Sequence, residues 1–118
     1  MAAVTPAERF AKLAALDPDE VITHSFVRDI PISGGKTLAL ITLDNGKDHT
    51  RPNTLGPNTL LRFAEVLDEQ AARAKKGEIN GVAVTGKPFI FAAGADLSKV
   101  NDIPDYETGK QMAQLGHW

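Results

Sequence analysis

Between Thr37 and Thr85 the spacing of apolar residues changes twice, and no other feature restricts the fold as strongly. Thr37-Leu38-Ala39-Leu40-Ile41-Thr42-Leu43 is nearly all apolar, the pattern of a strand covered on both faces. From Pro57 the apolar positions Leu60, Phe63, Ala64, Leu67, Ala71 and Ala74 recur at helical spacing, and Lys75-Lys76-Gly77 closes the run with cations and a glycine cap. Gly81-Val82-Ala83-Val84-Thr85 is again a short buried strand. Strand, helix and strand in that order predict a βαβ unit with a right-handed crossover, hence a sheet that is at least partly parallel. The class is α/β, with helices packed on the sheet.

Upstream, Val21 to Ile30 alternates with period two, Ile22, Phe26 and Ile30 on the inner side and Thr23, Ser25 and Asp29 on the outer. Ser33-Gly34-Gly35-Lys36 is a turn that makes a hairpin with the strand after it. Thr5-Pro6-Ala7-Glu8 has the spacing of a capping box, so a short helix follows with Phe10, Leu13 and Ala14 as its apolar stripe, stopped at Asp17-Pro18-Asp19. This opening helix reads as a separate prefix over residues 1–19, and residues 20–118 as the main unit. Asp44 to Leu55 is a polar loop broken by Asn45-Gly46 and Arg51-Pro52-Asn53, and Asp105 to Leu115 reads as a weak helix.

Composition excludes several functions. Thirteen basic against fifteen acidic residues give a formal charge of −2 with no basic stripe, which argues against nucleic acid as a partner. There is no cysteine, so thiolate catalysis and cysteine-ligated metal are ruled out and nothing suggests an oxidising compartment. No stretch approaches the roughly 20 apolar residues of a membrane span, so the expected location is the cytoplasm, with no membrane partner.

The chemistry concentrates where Phe89-Ile90-Phe91 runs into Ala92-Ala93-Gly94-Ala95-Asp96-Leu97. Small side chains let a backbone come very close to a ligand. If Ala95 and Asp96 open a helical turn, their unpaired amides and its positive end favour a developing negative oxygen. Composition alone is served as well, and more simply, by a tight strand-to-helix turn.

Val84-Thr85-Gly86 followed by Phe91-Ala92-Ala93-Gly94-Ala95-Asp96-Leu97 resembles the strand and first oxyanion loop of the crotonase (enoyl-CoA hydratase/isomerase) superfamily. Leu40 to Leu43 before a polar loop, then Asn53-Thr54-Leu55 leading into the helix at Pro57, resemble that family's opening strand, acyl-CoA loop and first long helix. Asp44-Asn45-Gly46, Asp48-His49-Thr50 and Gly86-Lys87-Pro88-Phe89 are most similar to the hydratase part of bacterial multifunctional fatty-acid oxidation proteins.

The resemblance implies the N-terminal part of a crotonase fold, built of ββαβ repeats, and hydration of 2-enoyl-CoA thioesters in β-oxidation. It implies coenzyme A thioester as substrate without a separate cofactor or metal, and a homo-oligomer or partner subunits in the intact protein. By the same likeness the Ala95 amide is the first donor to the thioester carbonyl, and backbone at Ala93 and Leu97 meets the adenine and pantetheine. Losing one such donor costs about 3–4 kcal/mol of transition-state stabilisation. Arg51, Lys87 and Lys99 are candidates for the coenzyme A phosphates, Lys99 displaced by Ser98 from the position many relatives use.

Family hydratases also use a second amide from a glycine-rich loop and two glutamates, and these have no match here. The expectation is an incomplete domain, inactive by itself; the alternative is a non-catalytic protein that binds acyl-CoA or a partner. Gly35-Lys36-Thr37 echoes the end of a phosphate-binding loop, but the leading glycine would fall on Ile30. Asp48-His49 lacks any partner nucleophile. Should turnover nevertheless occur, Asp48, His49, Glu107 and His117 are the residues to examine.

Overall fold

The computed structural model describes residues 6–16, 18–96 and 103–117. Along the chain come α1 (Pro6–Ala15), β1 (His24–Ile32), β2 (Lys36–Asp44), α2 (Pro57–Lys75), β3 (Gly81–Thr85) and α3 (Tyr106–His117). The three strands form one mixed sheet in the order β1-β2-β3. β1 runs antiparallel to β2, His24 facing Asp44 and Ile32 facing Lys36. The turn between them places Gly34 at φ 78° and Gly35 at φ 71°, a left-handed pair that side chains resist. β3 runs parallel to β2 from Leu38–Gly81 to Thr42–Thr85, with α2 as the crossover, so the protein is α/β as its periodicity predicts.

Both ends of α2 are closed, by different means. Gly77, at φ 78°, donates its amide to Ala74 O at 3.1 Å and Glu78 donates to Arg73 O at 3.0 Å, the paired bonds of a Schellman cap. At the other end no residue of the helix caps it. Glu20 does so from before β1, accepting the Asn58 amide at 2.9 Å, the Thr59 amide at 2.8 Å and the Thr59 hydroxyl at 2.7 Å. Gly56 leaves room for this, since a Cβ there would stand 2.5 Å from the Glu20 carboxylate carbon. Thr59 Oγ1 in turn accepts the amide of buried Thr23, which fixes the entry to β1.

The opening helix is no separate prefix. Phe10 and Leu13 are buried and cluster with Leu61 of α2 and Leu115 of α3, because the stripe of α1 faces the seam between those helices. Thr5, of the expected capping box, and Asp17 lie outside the described residues.

Ala39, Ile41 and Leu43 point toward α2 and are buried. Asp29, opposite Ala39, shares that face and reaches Arg73 of α2 at 2.6 Å. The other face was expected to be covered too and is not. Leu38 and Leu40 are only half-buried there, and Phe26, expected inside, is 58 % exposed, since no described helix lies over that side. Leu67, expected in the core, is 39 % exposed. Among the described residues no helix is long and apolar enough to cross a membrane.

Candidate functional site

After β3 the chain turns back at Gly86, where a Cβ would collide with the backbone of Ile90 and Phe91. The turn holds Phe89 at φ 73°, strained for a bulky side chain, and leaves it 95 % exposed. The chain then runs alongside residues 53–55. Ala93 donates to Asn53 O at 2.7 Å, Leu55 donates to Gly94 O at 2.8 Å, and Asp96 donates to Leu55 O at 3.2 Å. Gly94, at φ 99°, supplies the irregular step that lets three residues of this segment pass two of the other.

Leu55 and Ala95 form a parallel bridge in which Leu55 bonds to residues 94 and 96 on either side of Ala95. That pattern turns the Ala95 N–H away from residues 53–55. It has no hydrogen-bond partner among the described residues. The sequence leaves open a helical turn that starts at Ala95 and Asp96 with both amides free; instead Ala95 sits in the bridge to Leu55, and the Asp96 amide is taken up by Leu55. Leu97 and Lys99 lie outside the described residues.

Ala95 and Asp96 line a cavity of about 290 Å³ whose wall is otherwise apolar, with Leu55, Leu60, Met112 and Leu115 among its residues. A second cavity of about 450 Å³ adjoins it, between α2 and the 91–92 segment, with Phe63, Val84 and Phe91 in its wall. No glutamate lines either one among the described residues.

The corner is held in place by Asn53, which the sequence presents only as part of a loop. Its side chain is fully buried and donates to Leu43 O at 2.8 Å and to Phe91 O at 2.9 Å, while its carbonyl oxygen accepts the Asn45 amide at 3.0 Å. One amide thus joins the end of β2, the polar loop and the segment that follows β3.

Lys87 is placed otherwise than expected. Its ammonium is buried and donates to Asn45 Oδ1 at 2.5 Å and to the carbonyls of Lys47, Asp48 and Arg51 at 2.9, 3.0 and 2.7 Å. A cation already surrounded by four oxygens clamps the loop and does not reach outward for a phosphate. Arg51 is exposed on that loop with its carbonyl held by Lys87 and Asn45. Nearby, hydrogen bonds from the Thr50 hydroxyl and amide hold the Asp48 carboxyl below its ordinary value of 3.8. His49 stands edge-on to Phe89, ring centres 6.0 Å apart. Ala93 is exposed next to Ala95, its amide engaged with Asn53. Among the described residues no group of three or more His, Cys, Asp or Glu could hold a metal ion.

Comparison with protein-family models, with curated proteins and with solved structures found no match for this chain.

Proposed function

We propose that this chain binds the thioester end of an acyl-CoA, with the Ala95 amide donating to the thioester carbonyl and the acyl group entering the adjoining cavity, in the manner of the enoyl-CoA hydratase family. One observation carries this reading: the Ala95 N–H is turned out of the Leu55 bridge at the rim of an apolar cavity, while its neighbours' polar groups are used. A preorganised donor at the mouth of an apolar pocket stabilises an oxygen that gains negative charge, because no reorientation is needed when the charge develops. The Asn53 clamp supports it further by fixing the segment that carries the donor.

Hydration of a 2-enoyl thioester would also need a second donor and an acid/base pair. No glutamate faces the corner among the described cavity residues, which favours binding without turnover for these residues by themselves. Titration with butanoyl-CoA tests the binding reading. Ala95→Pro removes the donor without breaking a bond to residues 53–55, so it should fold and lose most of the thioester affinity, whereas Ala95→Gly should retain it. Equal binding by both variants and the native chain would remove Ala95 from the site.

A further inference from the structure

The two edges of the sheet are finished differently. β1, at one edge, carries the charged Arg28 and Asp29 and, at Pro31, a residue with no N–H to offer, devices that discourage another strand from adding there. β3, at the other, is Gly81-Val82-Ala83-Val84-Thr85, with neither charge nor proline. Among the described residues no strand pairs with its outer side, which leaves a row of backbone N–H and C=O groups open. Val82 and Val84 lie opposite Ala39 and Ile41, on the α2 side of the sheet, yet they are 42 % and 39 % exposed because α2 packs toward β1. Phe91, close to Gly86 and in the wall of the larger cavity with Val84, continues the exposed apolar strip past the end of the strand.

We infer that a second copy of the chain adds at this edge, β3 pairing antiparallel with β3 of the other copy about a two-fold axis at Ala83 to give a six-stranded sheet. A two-fold interface must be complementary to itself. The strand reads Val-Ala-Val about its centre, so antiparallel pairing with Ala83 opposite Ala83 sets Val82 of each copy opposite Val84 of the other. Directly opposed β-branched residues form a favourable cross-strand pair, and no charge meets its like. Each Val82 then stands on the α2 side beside the Val84 that lines the other copy's larger cavity, and helps to close that wall. Because the β1 edge is guarded, assembly stops at two copies. Five residues of strand edge with three exposed side chains fall short of the about 800 Å² per partner of a stable complex, which makes the dimer a weak one.

The test is sedimentation velocity of the chain over about 1–500 µM, where the mass should rise from that of one chain toward that of two, as a small interface predicts. Val82→Lys with Val84→Lys, and Val82→Glu with Val84→Glu, set like charges opposite one another in a homodimer and opposite charges in a mixed one. Each double variant by itself should associate at least about tenfold more weakly than the native chain, and an equimolar mixture of the two should regain the dimer. Phe26→Lys, on the uncovered face of the sheet, should leave association unchanged. Circular dichroism verifies the fold of each variant. Without any substitution, the amides of residues 81–85 should exchange with solvent more slowly at the high end of the concentration range than at the low end. A native chain that stays monomeric, growth beyond the dimer, dissociation by Phe26→Lys, folded double variants that associate as strongly as the native chain, or a mixture that stays monomeric would each overturn the inference. So would exchange at residues 81–85 that does not vary with concentration.

Discussion

Glu20 and Thr59, 39 residues apart, are joined by two hydrogen bonds to one carboxylate oxygen, 2.8 Å from the Thr59 amide and 2.7 Å from its hydroxyl. A side chain from outside the helix therefore replaces the local cap that Gly56 cannot provide, and its negative charge sits at the positive end of α2. Glu20→Ala should cost about 1–2 kcal/mol, in line with the loss of a strong cap. Urea unfolding would show it. A loss no larger than that of an exposed helix substitution would mean that α2 is held by its packing alone.

Lys87 poses the same question for the loop. Lys87→Met keeps the length of the side chain and leaves three carbonyls and the Asn45 side chain without their shared donor, at a cost of about 1–3 kcal/mol. The amides of residues 45–53 should exchange faster with solvent as the loop loosens. If Lys87 instead serves an anion, Lys87→Met should leave stability unchanged and weaken coenzyme A binding alone.

The parts of the fold that could be read in advance are those with a repeating local signal. β1 announces itself through period two, α2 through period 3.6 and β2 and β3 as short apolar runs, and Gly77 marks the end of α2 because a left-handed cap excludes side chains. Phe26 shows the limit of that signal: alternation sorts residues into two faces but does not say which face another layer covers. Glu20 and Asn53 read as ordinary polar residues, and Lys87 as a candidate for a phosphate, because their partners lie many positions away and are assembled only by the fold. The small residues around Ala95 pointed to a close backbone approach. The extended bridge to Leu55 that directs its amide depends on a second segment and left no trace in the local sequence.

Asp29 gives a pH signature. The hydrogen bond from Arg73 holds its carboxyl below the ordinary value of 3.8 in the folded protein. A depressed value of this kind stabilises the fold above the unfolded-state value, and the contribution disappears as pH falls through the folded-state value. The stability advantage of the native chain over Asp29→Asn should thus be present at about pH 6 and shrink on acidification below about pH 4. A difference that does not vary with pH would show that the pair contributes nothing through its charge. Exposure of both groups keeps the effect small and sensitive to salt.

Two aliphatic positions separate core from cavity wall. Ile41 is fully buried, and Ile41→Ala should cost about 2–5 kcal/mol. Leu67 is 39 % exposed and faces the larger cavity, so Leu67→Ala should cost about 1 kcal/mol or less. Comparable losses at the two sites would mean that this cavity is closed around Leu67 in solution.

The Ala95 amide itself can be observed. In a ¹H–¹⁵N correlation spectrum, titration with butanoyl-CoA should move the Ala95 amide proton downfield as it engages the thioester carbonyl. The S-butyl thioether of coenzyme A, which lacks that carbonyl, should leave it close to its free position while still shifting residues that meet the acyl group, Leu60 and Met112 among them. An Ala95 resonance that stays in place at saturating butanoyl-CoA, or that moves equally with the thioether, would contradict its assignment as the oxyanion donor.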